Sequence, residues 1–209
     1  MAEIGLRERK KQRMYEVVSE IAIGLFLERG FDAVSVAEVA AAAEISKPTL
    51  FRYFPAKEDL VLYRFADHED EAARVVRGSA EAPLRALRRR FLEGLAEGDP
   101  VTGLNDHPGV LAFHSLLYGT PALVARLYGY LERSEAALAE ALGGGLEARL
   151  AAGQIIAVQR ILAEENWRRI AEGESVEEVR GDAEAAARRA FGLLEAGLPY
   201  LGEDVGVTE

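Results

Sequence analysis

From Val18 to Leu198 the apolar residues of this chain recur at intervals of three and four, and they almost never alternate. That period belongs to amphipathic helices; a half-buried strand needs a period of two. Glycine and proline interrupt the pattern repeatedly, so the chain reads as helices joined by short turns. The first stripe, Val18, Ile21, Ala22, Leu25 and Phe26, stops at Gly30, where a helix end is well served. Ser35-Val-Ala-Glu38 is a capping box opening a short helix, Val36–Ala43, with Val36, Val39 and Ala40 on one face. A second short helix, Ser46–Phe54, carries Pro48 in its first turn, where a missing N–H costs nothing.

Beyond Pro55 the pattern predicts one helix over residues 57–77, then a helix over 80–97 with Leu84, Leu87, Phe91, Leu92 and Leu95. Residues 98–109 read as a loop and 110–118 as a short apolar helix. Thr120-Pro121 starts a helix that runs to Leu142 and breaks at Gly143-Gly144-Gly145. The last two helices span 147–172 and 176–198, the second opening with a capping box at Ser175 and Glu178. The expected fold class is therefore all-α: an N-terminal three-helix unit followed by a helical bundle.

Hydrophobic residues make up 49% of the 209 residues and charged ones 29%, the balance of a folded globular chain. Cysteine is absent, which excludes disulfides and thiolate chemistry. No apolar run approaches the roughly 20 residues of a membrane helix, and no export signal is evident. The expectation is a bacterial cytoplasmic protein with no membrane association. The net charge of −10 argues at first against nucleic acid, but its distribution reverses that reading. Residues 1–60 hold nine Lys/Arg against ten Asp/Glu, whereas residues 61–209 hold sixteen against twenty-five. Five of the nine cluster as Arg7, Arg9, Lys10, Lys11 and Arg13, and local clustering decides phosphate contact.

The two short helices form a helix-turn-helix candidate. Val36, Val39, Ala40, Ile45, Leu50 and Phe54 would face inward, while Lys47, Thr49, Arg52 and Tyr53 would face out. Ser46 and Lys47 stand at the start of the second helix, where free amides favour a phosphate. Catalysis finds little support. His68, His107 and His114 lack metal-ligand spacing, and adjacent Asp67-His68-Glu69 cannot converge on one ion from a helix. Gly143-Gly144-Gly145 lacks the Lys-Ser/Thr of a phosphate loop, and no Gly-x-Ser-x-Gly elbow occurs. No catalytic residue, metal ligand or cofactor is expected.

The residues themselves carry a sharper pattern. Leu25-Phe-Leu-Glu-Arg-Gly-Phe31, Ser35-Val-Ala-Glu-Val-Ala40 and Ile45-Ser-Lys-Pro-Thr-Leu-Phe-Arg-Tyr-Phe-Pro-Ala-Lys-Glu-Asp-Leu60 resemble the DNA-binding half of the TetR family, over about residues 12–62. The resemblance implies a DNA-binding domain over residues 1–56 and a ligand-binding and dimerisation domain over 57–209. It implies that Ser35, Tyr53 and Lys57 touch phosphates, and that Lys47, Pro48, Thr49 and Arg52 lie at the major groove. The basic run Arg7–Arg13 becomes a mobile arm on the minor groove or backbone. Three positions depart from the family: Phe51 replaces the usual tyrosine, Glu44 the turn glycine and Ala56 a capping serine.

In the second half, Ile155, Ile156, Leu162 and Ala163 share one stripe and Val158 and Ile161 another, so that helix needs covering from two sides. A four-helix interface with a second copy would cover it and supply two recognition helices for a palindromic operator; a larger monomeric core is the competing reading. Residues of suitable type for a mostly apolar pocket are Phe113, His114, Leu117, Tyr118, Tyr128, Gln159, Asn166 and Trp167. The run Tyr118–Arg126 resembles the mycofactocin-type branch of the family, which implies an acyl-CoA or other fatty effector. The expected function is a homodimeric repressor released by a small apolar ligand. The alternatives are a regulator controlled by a partner protein and, remotely, a helical enzyme.

Overall fold

The structure is a computed structural model that describes residues 6–66 and 68–202. All its regular elements among the described residues are helical. They are α1 (Leu6–Arg29), α2 (Val36–Ala42), α3 (Lys47–Tyr53), α4 (Asp59–Ala66), α5 (Glu71–Gly78), α6 (Pro83–Glu97), α7 (Pro108–Gly119), α8 (Pro121–Ala141), α9 (Gly145–Ala171) and α10 (Val176–Gly197). Two 3-10 turns sit at Pro100–Thr102 and Pro199–Leu201. The helix expected over 57–77 is instead two helices, α4 and α5, with a turn at His68–Asp70. Residues 67–71 are all polar, Asp-His-Glu-Asp-Glu, so no apolar side chain there holds a continuous helix to the core, and the turn closes locally as His68 Nδ1 meets Glu71 at 2.8 Å.

The chain divides into two compact units. The first comprises Met1–Asp67 with Ala112–Tyr130, and so reaches past the 1–56 boundary expected from sequence. Its core is Val18, Ala22, Phe26, Val34, Val39, Leu50, Phe54 and Leu60, all essentially inaccessible to water. Burial of each large side chain contributes about 1.5–3 kcal/mol. The Ser19 hydroxyl donates to the Leu60 carbonyl at 2.7 Å, so the one polar group on the buried face of α1 is satisfied as α1 meets α4.

The second unit comprises His68–Leu111 and Leu131–Glu209, with α10 packed against α6 and α9. Leu84, Leu87, Leu95, Leu138, Ile155, Val179 and Phe191 form its core. Polar ties fix the loop after α6: Arg90 bridges Glu71 and Asp99, each at 2.9 Å, and Asn166 Nδ2 donates to the Thr102 carbonyl at 2.9 Å. Gly103, with φ of 73°, lies hard against α9; a Cβ there would stand 1.9 Å from the Ala163 carbonyl oxygen. Only glycine fits that approach.

Candidate nucleic-acid interface

Local chemistry builds the reading head in three steps. Ser35 caps α2: its Oγ accepts from the Glu38 amide at 3.2 Å, and Glu38 accepts from the Ser35 amide at 2.8 Å. That amide, then the Arg29 guanidinium and the Ser35 hydroxyl, pull the Glu38 carboxyl down to about 2.

The turn that follows is a Schellman motif, with the Ile45 amide donating to Ala40 O at 2.9 Å and the Glu44 amide to Ala41 O at 3.1 Å. Glu44 takes the left-handed conformation there, φ 53°, at the position where sequence reasoning marked a departure from glycine. Ser46 then caps α3, accepting from the Thr49 amide at 3.2 Å and sharing a hydrogen with the Thr49 hydroxyl at 2.8 Å.

Along α3, Leu50 and Phe54 are buried, while Lys47, Pro48, Phe51 and Arg52 are exposed and Thr49 and Tyr53 half-buried. Tyr53 is held on both sides. Its ring meets Tyr15 of α1 edge-on at 5.0 Å, and the Arg52 guanidinium lies 5.5 Å from its centroid. Tyr15 also stacks on Tyr63 at 5.1 Å and carries Lys11 5.9 Å above its ring. Tyr15 escaped the sequence reading, although it extends the buried stripe of Val18 and Ala22 by one turn. The resulting surface presents cations and hydroxyls on a helix backed by an apolar face, which suits groove and phosphate contact.

Two of the candidate sites fall in places the sequence did not indicate. Arg9, Lys10, Lys11 and Arg13 are exposed residues in the opening turns of α1, which is helical from Leu6. Residues 6–15 contain neither glycine nor proline, and most are good helix formers, so the helix continues outward. The backbone of Arg7 belongs to α1, and its side chain lies outside the described residues. Lys57 is turned inward: its ammonium donates to the Phe31 carbonyl and lies 4.2 Å from the Phe31 ring centroid. It fastens the α1–α2 connection rather than facing out beside α3.

The suggested pocket residues are drawn from both units. Phe113, His114 and Tyr118 form a ring cluster in the first unit, with centroid spacings of 5.9 and 6.1 Å and Leu117 buried beside them on α7. Burial holds the His114 imidazole at about 4, so it is neutral at neutral pH. Tyr128 is exposed. Gln159, Asn166 and Trp167 belong to the second unit, where the Asn166 amide bonds to Thr102 as an internal tie.

Residues 20–63 match the family model of bacterial regulatory proteins, tetR family. That segment is thus similar to the N-terminal domain of this family. The regulator TcmR of Streptomyces glaucescens is 34% identical over 135 residues, 63% of this chain and 58% of that protein. The chain thus spans well under two thirds of that relative. MftR of Mycobacterium tuberculosis, named for mycofactocin biosynthesis, is 43% identical over 51 residues, 24% of this chain and 26% of its own. Among solved structures, a TetR-family regulator of Streptomyces coelicolor superposes with a TM-score of 0.57 at 23% identity, covering 88% of this chain and 94% of that one. The secondary repressor of the MexAB-OprM efflux pump in Pseudomonas aeruginosa gives 0.57 at 16% identity, covering 86% and 97%. The TetR-like fold therefore extends beyond the matched domain. Among the described residues no single helix is long and apolar enough to cross a membrane.

Proposed function

We propose that this TetR-family chain is a homodimeric repressor that reads a palindromic operator through α3 and leaves it when an apolar, acyl-type effector binds. The observation that carries the DNA-reading part is the division of α3, with Leu50 and Phe54 sealed inward, Lys47 and Arg52 exposed, and Thr49 and Tyr53 half-buried at the edge. Ser35, Ser46, Lys47, Pro48, Thr49, Arg52 and Tyr53 are the proposed contacts, with the exposed basic residues of α1 supplying further phosphate attraction.

Dimerisation is supported by the apolar residues that α9 and α10 leave in water: Leu146, Leu150 and Ile161 on α9, and Leu193 on α10 at 76% exposure. A second copy would bury them and supply the other half-site reader about one turn of DNA away. Sedimentation as a monomer at micromolar concentration would remove this part.

The effector class is supported by the apolar and aromatic character of Phe113, Leu117 and Tyr118. A regulator of similar fold, FadR of Bacillus subtilis, was solved in complex with stearoyl-CoA; it superposes with a TM-score of 0.50 at 18% identity. An effector acts only through unequal affinity for two conformations. The path proposed for that coupling runs within the first unit, from α7 and α8 through Arg126 to Asp59 at the start of α4. Titrating stearoyl-CoA against an operator complex should release DNA while the dimer persists; unchanged operator affinity at saturating acyl-CoA rejects an acyl effector.

A further inference from the structure

Phe51 leaves 41% of its surface exposed, while Leu50 beside it is fully buried. At about 100° per residue, Leu50 and Phe54 define the inner side of α3 and Arg52 projects nearly opposite. Phe51 therefore stands on the shoulder between core and outer face. Lys47, one turn earlier on the same shoulder, places its ammonium 5.8 Å from the Phe51 ring centroid. The neighbouring exposed positions, Lys47, Pro48 and Arg52, face the same water. A large apolar ring at this edge still leaves two fifths of its surface in water, where its own domain does not cover it.

Phenylalanine has no O–H to offer a phosphate oxygen, so its gain from a duplex comes from burying its ring. Base edges in the major groove offer one methyl group, the C5-methyl of thymine, which distinguishes A·T from the other pairs. We propose that Phe51 is a specificity-determining residue whose ring packs on the methyl of one thymine in each half-site. The cation above it steers that shoulder toward the duplex and keeps the ring turned outward. This rests on the DNA-reading role proposed above.

The test uses the full-length protein and an operator selected from a randomised duplex pool. Each thymine is replaced singly by deoxyuridine, which removes the methyl and keeps the base pair. One thymine per half-site should then weaken wild-type binding about fourfold, the change expected for one methyl-sized group. Phe51→Ala should bind the thymine and deoxyuridine duplexes equally, and Phe51→Leu should keep part of the preference. Phe51 is partly covered by its own domain, so each variant is first shown by its melting transition to be folded at the assay temperature. Methyl sensitivity that survives Phe51→Ala, or no sensitive thymine in an enriched operator, overturns this inference alone. A pool that yields no enriched sequence overturns the DNA-reading role as well. Loss of self-association in Phe51→Ala with methyl sensitivity intact would assign the ring to a protein contact and overturn the inference.

Discussion

The guanidinium of Arg126 closes on the carboxylate of Asp59 through two hydrogen bonds, 2.8 Å from Nε and 3.0 Å from Nη2. Asp59 also accepts from the Ala56 amide at 3.0 Å, so one carboxylate fixes the first turn of α4 and receives α8. Asp59 is 7% exposed, and a buried carboxylate deprived of its partner is costly. Arg126 is half-exposed, which lets water replace part of the interaction. Arg126→Ala should lower stability by about 1–2 kcal/mol, and Arg126→Lys should recover only part of it because lysine cannot make the paired fork. Urea unfolding of the three proteins checks this; identical midpoints would show the pair to be idle.

Glu44 is the sole non-glycine residue with positive φ among those described. A left-handed conformation costs an ordinary residue about 1–2 kcal/mol, and glycine returns part of that through its looser unfolded chain. Glu44→Gly should therefore stabilise the protein by about 0.5–1 kcal/mol, seen as a rise of a few degrees in melting temperature. A fall in melting temperature would mean that the Glu44 side chain contributes a contact of its own.

Gly103 poses the reverse case. A methyl group there would overlap the Ala163 carbonyl and come within 3.0 Å of the Trp167 amide nitrogen. Backbone cannot yield as a flexible side chain would. Gly103→Ala should cost at least about 2 kcal/mol and loosen the loop that Asn166 ties down. Amide exchange at Thr102–Leu104 should accelerate; an unperturbed melting curve would contradict the close packing.

Glu38 predicts a pH dependence. Its carboxyl falls from an ordinary 4.5 to about 2 on folding, chiefly through the Ser35 amide and then Arg29. A depressed pKa means that its stabilising effect is fully present above the unfolded value and disappears as pH drops toward 2. Wild type should lose more stability than Glu38→Gln between pH 5 and pH 2, measured by urea midpoints. Parallel curves would show that the capping carboxylate carries no linkage.

Much of this was legible because the signals were local. The capping boxes at Ser35 and Ser175 stand where the spacing placed them, and the break after α8 falls at residues 142–144, with Gly145 already opening α9. The division of α3 followed from apolar period alone. What escaped depends on partners distant in sequence: Lys57 turns toward Phe31, 26 residues away, and Asn166 reaches Thr102, 64 away. The α4–α5 break lies at the polar run over residues 67–71, and the apolar spacing on either side of that run reads as one helix. The helical start of α1 was hidden because its opening turns are polar all round, so periodicity gave no sign there.

The reading head itself is tested most directly by selecting duplexes from a randomised pool and measuring the winner against wild type, Lys47→Ala and Tyr53→Ala across a salt series. The selection should yield an enriched palindrome with half-sites about one helical turn apart, bound with an affinity that falls steeply with salt. Each variant should bind about tenfold more weakly and keep its oligomeric state. A pool without enrichment, or variants that bind the selected duplex as tightly as wild type, would contradict the DNA-reading role.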